Sequence, residues 1–471
     1  MMEDVYFGID FGTTHVKAAA FSSQGQMLRC LREKTPGHPE GDATVYLPQQ
    51  VREAILGLIT ALGREFTPKA IAVTGMSEAG VMLDRRTMEP VGPMLPWFDS
   101  RTQTLSQRYQ DQDARRFLRT GLHNSFKYGV YKYLWLLEAT GRKPEQTLWL
   151  SACDYVGWVL TGEAATDPTF AARTYLYDIQ RRDWDDGAMA ALGLTRNSFP
   201  KILETGMPLG YLKNGLLPGK IPVCLCGHDH LCATWFMQAQ YPGCICNSMG
   251  TAETFTGTRR EAPLTAAQWE SGLTYGPFLT PGMQYWMANL PAAGLCVEWA
   301  WKTLCKQTPD YGALDTLLRE TPGTRLLFFP FLNGIGTPVY NAQARGAFFG
   351  LSSETGGPEL LCSVVEGICL QERYLLSLLP EQALQTPVCI VGGAARCPGW
   401  MQRKADILQR TLVCPDISEG TLLGAVLRMC TAEGLPFHPG RPDCRVYAPT
   451  DTADPWKKAY AQYCQLLKIF L

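Results

Sequence analysis

Strand-length apolar runs and helix-spaced apolar positions take turns along this chain. Val5-Tyr6-Phe7-Gly8-Ile9 is one run, and after Asp10-Phe11-Gly12-Thr13-Thr14 a second returns to Phe21, so residues 5–30 predict the two strands of a hairpin. Val51, Ala54, Ile55, Leu58, Ile59 and Leu62 recur at helical spacing within 49–66, and Ala70-Ile71-Ala72-Val73 follows as a short buried strand. Strand, strand, helix, strand is the order of an α/β domain. Arg115–Leu118 and Tyr131–Glu138 mark a helix-rich middle, roughly 104–160, whereas 196–222 is rich in Pro and Gly and reads as loops. Ile221-Pro222-Val223-Cys224-Leu225-Cys226 predicts a buried strand ending at Gly227. Beyond it come a strand at Leu326–Phe331, a helix at Glu359–Leu379, a strand at Pro387–Val391, and helices at about 399–411, 420–433 and 455–470.

One pattern occurs twice. Cys244-Ile245-Cys246, then Met249-Gly250-Thr251-Ala252-Glu253, then Thr254-Phe255-Thr256 repeats the apolar run, glycine-threonine turn and returning run of the N-terminus. Such a hairpin exposes backbone N–H groups and a hydroxyl at its tip, a concavity suited to phosphate oxygens. Two of them about half a chain apart predict paired domains facing each other across a cleft. The boundary falls between 235 and 245, which gives domains 1–240 and 241–471.

Composition narrows the reading. Of 471 residues 46% are hydrophobic and 18% charged, a globular balance in a chain too long for one core. A net charge of −1 without any Lys/Arg-rich run argues against a nucleic-acid partner. Met1-Met2-Glu3-Asp4 is acidic where a signal peptide would be basic, and no apolar stretch approaches the roughly 18 residues of a membrane span. The expected setting is therefore soluble and cytoplasmic, with no membrane partner. Seventeen scattered cysteines read as small core residues in a reducing compartment; Cys224/Cys226 and Cys244/Cys246 lack the doubled Cys-x2-4-Cys spacing of structural zinc.

Four segments carry candidate chemistry. Asp10 with Gly12, Thr13, Thr14 and Lys17 suits magnesium and phosphate oxygens, the alternative being an ordinary solvated hairpin. Gly227-His228-Asp229-His230 follows a buried strand, where α/β sheets display catalytic groups, and Asp229 there is suited to take a proton from an attacking hydroxyl. Two other readings of this segment stay open: His228 and His230 as metal ligands, without a third His or Glu nearby, and a capped strand end. Gly75-Met76-Ser77-Glu78-Ala79 is close to a nucleophile elbow, but that elbow needs a helix after the serine and Gly80–Asp84 predicts a strand. Gly392-Gly393-Ala394 lets a backbone approach a nucleotide after a strand, yet the chain holds neither a Rossmann fingerprint there nor a P-loop anywhere.

Together these residues resemble the FGGY family of carbohydrate kinases, within the actin-like ATPase superfamily, from Tyr6 to about Thr431. Asp10–Thr14 is similar to the family's first phosphate motif and Met249-Gly250-Thr251 to its second. Phe331-Leu332-Asn333-Gly334 through Thr337-Pro338, then Ala344–Leu351, is similar to the C-terminal signature. Val391–Ala394 with Trp400, Lys404, Asp406 and Leu423-Gly424-Ala425 resembles the adenosine-binding segment. The resemblance implies an α/β fold of two actin-like (ribonuclease H-like) domains across a nucleotide and substrate cleft, using ATP and Mg²⁺ to phosphorylate a hydroxyl of a small sugar, ketose or polyol. It implies Asp229 as the base and Asp10 on the metal side. Gly12, Thr13, Thr14, Lys17, Gly250, Thr251, Gly392, Gly393 and Ala394 then face the nucleotide, and Ser77, Glu78, Trp97, Asp99, Arg101, His228 and His230 face the acceptor. Glycerol kinases carry Arg-Glu where this chain has Ser77-Glu78, and xylulose kinases Met-His, so a less common substrate is expected. A homodimer is one expectation for its assembly. The reading from another class is a chaperone-like or filament-forming ATPase of the same superfamily, which has no use for a pocket of Trp97, Asp99 and Glu78.

Overall fold

Both halves of the chain are organised around a mixed sheet built in the same order. The computed structural model describes residues 4–41, 43–305, 310–379, 386–451 and 454–471, so the acidic Met1-Met2-Glu3 start lies outside the described residues. In the first sheet, β1 (Val5–Phe11), β2 (His15–Ser22), β3 (Met27–Lys34), β4 (Ile71–Gly75), β5 (Pro208–Tyr211) and β6 (Pro222–His228) lie in the order β5-β6-β4-β1-β2-β3. Central β1 runs antiparallel to β2 and parallel to β4, which is parallel to β6, and β5 closes that edge antiparallel.

The second sheet contains β7 (Ile245–Met249), β8 (Glu253–Arg260), β9 (Thr274–Pro277), β10 (Met283–Leu290), β11 (Val388–Val391), β12 (Leu412–Pro415) and β13 (Cys444–Tyr447), in the order β9-β10-β8-β7-β11-β12-β13. Here β7 takes the place of β1: antiparallel to its return strand β8, parallel to β11, with β12 parallel beyond it and an antiparallel edge strand last. The duplicated hairpin is thus the visible part of a duplicated sheet.

The parallel centre of each sheet is covered on both faces, which is why β1, β4 and β6 read as near-continuous apolar runs instead of alternating ones. Helix α1 (Pro48–Gly63) buries Val51, Ile55, Leu58, Ile59 and Leu62 against the first sheet, and its Pro48 occupies the first turn, where no intrahelical N–H is needed. Two more helices join the halves. Helix α2 (Asp229–Gln240) leaves the first sheet, and α3 (Gly420–Glu433), from the C-terminal half, packs on both α2 and β1. A Cβ on Gly8 of β1 would lie 3.2 Å from Leu422 Cδ2, and one on Gly424 would lie 1.9 Å from Cys232 O. Gly424→Ala is therefore expected to force α2 and α3 apart and to cost about 1–3 kcal/mol of stability. A urea midpoint equal to that of the wild type would show that the two helices part freely.

The Pro/Gly-rich 196–222 segment, read as loops, contains the edge strand β5, with a bulge between Pro208 and Gly210. An edge strand tolerates proline because one side of its ladder is unpaired. Gly80–Asp84 is a strand, paired with Thr147–Ser151, so Ser77 stands in a strand-to-strand loop and not at a nucleophile elbow. Cys224 and Cys226 are packed with Leu231, Leu422 and Val426, and Cys244 and Cys246 with Phe236 and Met237, as small core residues. Among the described residues no helix is long and apolar enough to cross a membrane.

Candidate active site

Strand β6 ends at His228 and α2 starts at Asp229, so Gly227–His230 is the junction of a buried strand with a helix. Gly227 has φ +97°, and a Cβ there would meet Leu279 Cδ2 at 2.4 Å, so the turn requires glycine. Thr74 Oγ1 donates to Gly227 O (2.6 Å) and the His228 N–H donates to Thr169 Oγ1 (3.0 Å), pinning the junction from two sides. Asp229 Oδ1 accepts from the His230 N–H (2.6 Å) and lies 3.0 Å from His228 Nε2. Burial opposes the Asp229 charge, but His230, His228 and these hydrogen bonds outweigh it and hold the carboxyl well below its usual range. Burial also pushes His230 down, against the pull of Asp229. His228, Asp229 and His230 bring ligand atoms within 4.8 Å of one another, so the third ligand that the metal reading lacked would be Asp229 itself, already engaged by both histidines.

Asp10 lies opposite Lys17 on β2 and Thr74 on β4. Its Oδ1 is buried and has no hydrogen-bond partner among the described residues. Burial first, then the negative charge of Asp229, push its carboxyl up to about 7 against the pull of Lys17. A carboxylate oxygen in that position fits a hard dication, which would offset both effects. In the turn beyond it, the Gly12 N–H donates to His15 O (3.1 Å), Thr13 Oγ1 accepts from Trp97 Nε1 (2.9 Å), and Thr14 is exposed.

Lys17 Nζ bonds Glu419 Oε2 (2.8 Å), immediately ahead of α3, and so bridges the two halves. Across from it Gly250 and Thr251 are exposed at the tip between β7 and β8. Gly392, at φ +116°, passes so near β7 that a Cβ would lie 2.0 Å from Met249 O; Gly393 is open on its outer side, and Ala394 follows in a short turn. A cavity of about 790 Å³ is lined by Lys17 and Ala233 from the first half and by Ser248, Gly392, Gly393, Arg396 and Glu419 from the second, while Gly250, Thr251 and Ala394 lie outside its lining. That is the size range of a small-molecule site.

Glu78 is held by Ser77 and Arg173, whereas Trp97, Asp99 and Arg101 make their contacts elsewhere. Ser77 Oγ donates to Glu78 Oε2, and Arg173 donates to Oε1 through both Nε (2.9 Å) and Nη2. Burial opposes the Glu78 charge, but Arg173, Lys127 and His228 outweigh it and bring its carboxyl down to about 2. Arg173 Nη1 donates to Tyr285 OH (3.2 Å) on β10, so the second sheet completes this wall. Trp97 is 41% exposed. Asp99 accepts from the Arg101 N–H (3.0 Å) and Nε (2.9 Å), while Arg101 Nη1 reaches Glu40 Oε2 (2.8 Å). Asp99 and Arg101 neutralise each other and brace the loop that presents Trp97.

Sequence reasoning missed Arg173, Lys127 and Tyr285, which lie in separate segments: Arg173 joins Glu78 to Tyr285, and Lys127 acts on Glu78 through its charge. A lone arginine in the apolar Ala171-Ala172-Arg173 run was the one available signal. Conversely Lys404 and Trp400, from the adenosine-like segment, are fully buried. Lys404 Nζ contacts Asn247 (2.6 Å), Glu253 (3.0 Å) and Glu372 (2.8 Å), holding β7 and β8 from behind.

The model of the FGGY family of carbohydrate kinases, N-terminal domain, matches residues 5–235, and that of the C-terminal domain matches 245–433. A glycerol kinase of Methylobacterium nodulans is 27% identical over 462 residues, spanning 93% of this chain and 92% of its own. A glycerol kinase of Afipia carboxidovorans is 29% identical over 450 residues, spanning 91% and 90%. Among solved structures, the gluconate kinase of Lactobacillus acidophilus superposes with a TM-score of 0.90 at 20% identity, covering 99% of this chain and 98% of its own. With both domain models matched in order, over two sheets of like topology that share one cleft, the chain belongs to the FGGY family of carbohydrate kinases.

Proposed function

We propose that this carbohydrate kinase transfers the γ-phosphoryl group of ATP to one hydroxyl of a small polyhydroxylated acceptor, with Asp229 as general base. The observation that carries the reading is the orientation of Asp229. Its Oδ1 is held by His230 N–H and His228 Nε2, which leaves Oδ2 without a hydrogen bond among the described residues, at the N-terminus of a helix and beside Asp10. The acceptor hydroxyl gives its proton to Oδ2, its oxygen bonds to the γ-phosphorus, and the bond to the β–γ bridging oxygen breaks to release ADP. Asp10 would hold Mg²⁺, which when bound neutralises charge on the phosphate oxygens. The exposed turns at Gly12–Thr14, Gly250-Thr251 and Gly392-Gly393 would supply backbone N–H groups to those oxygens, with Lys17 as a point charge. Glu78, Trp97 and the Asp99–Arg101 loop would receive the acceptor, and closing the two halves over it would exclude water as a competing acceptor. A filament-forming or chaperone-like ATPase is set aside by the match of both kinase domains over the chain.

A coupled assay of ADP release with Mg-ATP and a panel of tetroses, pentuloses, hexuloses, polyols and sugar acids tests the reading. Stimulation by at least one class is expected; ADP release indifferent to every acceptor would overturn it. Glu78→Gln keeps the shape of the pocket but gives up the charge. It is expected to raise KM for the best acceptor more than about tenfold, as a charge-assisted hydrogen bond is worth roughly 1.5–3 kcal/mol. An unchanged KM would remove Glu78 from contact with the acceptor.

A further inference from the structure

The wall built by Glu78 and Arg173 carries one more cation, which the chemistry above does not use. Lys127 directly precedes Tyr128, the residue that opens the helix Gly129–Thr140. Lys127 Nζ lies 5.6 Å from the centre of the Tyr128 ring, and Arg173 Cζ lies 5.7 Å from the same ring. Tyr128 is buried and stacked on Tyr175 at 5.2 Å, a firm floor for both cations. Lys132 Nζ donates to Lys127 O (2.5 Å) and anchors the backbone at this point.

The two cations are not equally satisfied. Arg173 has Nε and Nη2 on Glu78 and Nη1 on Tyr285 OH. Among the described residues no carboxylate lies within ion-pair distance of Lys127 Nζ and no hydrogen bond reaches it; Glu78 bonds Arg173 and Ser77 instead. Burial, eased by Glu78 and reinforced by Arg173, brings the Lys127 ammonium down to about 8, so it is still charged at neutral pH. Lys127 is half-buried, and an ammonium partly withdrawn from water beside a guanidinium gains from a counter-charge. A neutral hydroxyl supplies part of that gain, and a carboxylate supplies far more.

We propose that the acceptor carries a carboxylate that docks on Lys127, so that the substrate class is polyhydroxy acids of the aldonate type rather than neutral sugars or polyols. This rests on the kinase reading of the same site and specifies its substrate. The carboxylate is a handle: no bond to it forms or breaks, and phosphoryl transfer to the hydroxyl facing Asp229 proceeds as above.

The test compares ADP release from wild-type protein with Mg-ATP and D-gluconate, D-erythronate or L-threonate against glucitol, glucose, erythritol and threitol. The best acceptor is expected among the acids, with kcat/KM at least about tenfold above its neutral counterpart. Lys127→Met should cut that preference by about 10- to 100-fold, mainly through KM, and Lys127→Arg should restore part of it. In the wild type KM for the acid should rise as pH passes above 8, where Lys127 loses its proton, and it should stay flat in Lys127→Met. Should Lys127→Met fail to give a cooperative thermal transition, the wild-type panel and its pH dependence decide alone. Preference for neutral acceptors with idle acids overturns the acid assignment and leaves the kinase reading standing. An unchanged preference in Lys127→Met overturns the role of Lys127. Absence of stimulation by either class removes the kinase reading and this inference with it.

Discussion

Asp229→Asn is expected to lower kcat by roughly 10²-fold or more while the Kd for ATP stays close to that of the wild type. The geometry gives the substitution two effects. The side-chain amide must turn its carbonyl oxygen to the His230 N–H, which now donates to Oδ1 at 2.6 Å. That places an NH₂ donor where Oδ2 had been, facing a hydroxyl that must itself donate. The variant therefore loses the base and reverses the polarity of the reacting position. Because histidine partners and hydrogen bonds outweigh burial and keep Asp229 ionised, a fall in kcat between pH 8 and 5 should not come from this residue. Calorimetric titration of ATP beside steady-state kinetics checks both halves of the expectation. Near-normal turnover, or ATP affinity lost in step with kcat, would take the base role away from Asp229.

The parts legible in the sequence are those where one short segment carries the whole physical signal. The hairpin β1–β2 was readable because the buried centre of its sheet makes β1 a near-continuous apolar run ahead of a polar turn, and β7–β8 because it repeats the glycine-threonine turn between strands. Helix α3 was readable at 420–433 because its apolar positions meet α2 on one side and β1 on the other. Edge strands were harder. The residues of β3 are mostly exposed or half-buried, and β5 carries Pro208 and a bulge, so neither shows a clean period of two. The same contrast holds in the site. Gly227–His230 and Asp10–Lys17 are contiguous, and their chemistry could be read in place. The proposed acceptor wall draws on Glu78, Lys127, Arg173 and Tyr285, which lie far apart in the chain, and the bond from Arg173 to Tyr285 exists only once the second sheet is packed against the first. Lys404 shows the converse: a lysine inside a recognisable segment, turned into the core because Glu253 and Glu372 neutralise it there.

Asp10→Asn is expected to lower Mg-ATP turnover by more than about 10²-fold, since a metal held at this carboxylate supplies several kcal/mol of charge stabilisation to the transferring group. Acceptor binding by calorimetry should stay nearly intact, because the Glu78–Arg173 wall does not touch Asp10. The same substitution should act on stability in the opposite direction. The Asp10 carboxyl has an ordinary value of 3.8 and is pushed up to about 7 in the fold, by burial first and by Asp229 next. The native state thus holds this proton more tightly than the unfolded chain does. Stability falls as pH rises from about 4 to 7, and above 7 the ionised form is carried at its full cost. Removing the charge should therefore raise the Tm of metal-free protein at pH 8, with the gain shrinking as pH is lowered toward 5. Magnesium with ADP should raise the wild-type Tm and leave that of the variant almost unmoved. In the wild type the apparent Mg²⁺ affinity should fall as pH drops below 7, where the metal must displace a proton, and this dependence should be absent from Asp10→Asn. Equal Tm values for the two proteins at pH 8, together with retained Mg-ATP turnover, would sink the assignment, because both outcomes require a charged, unpartnered Asp10 waiting for a cation.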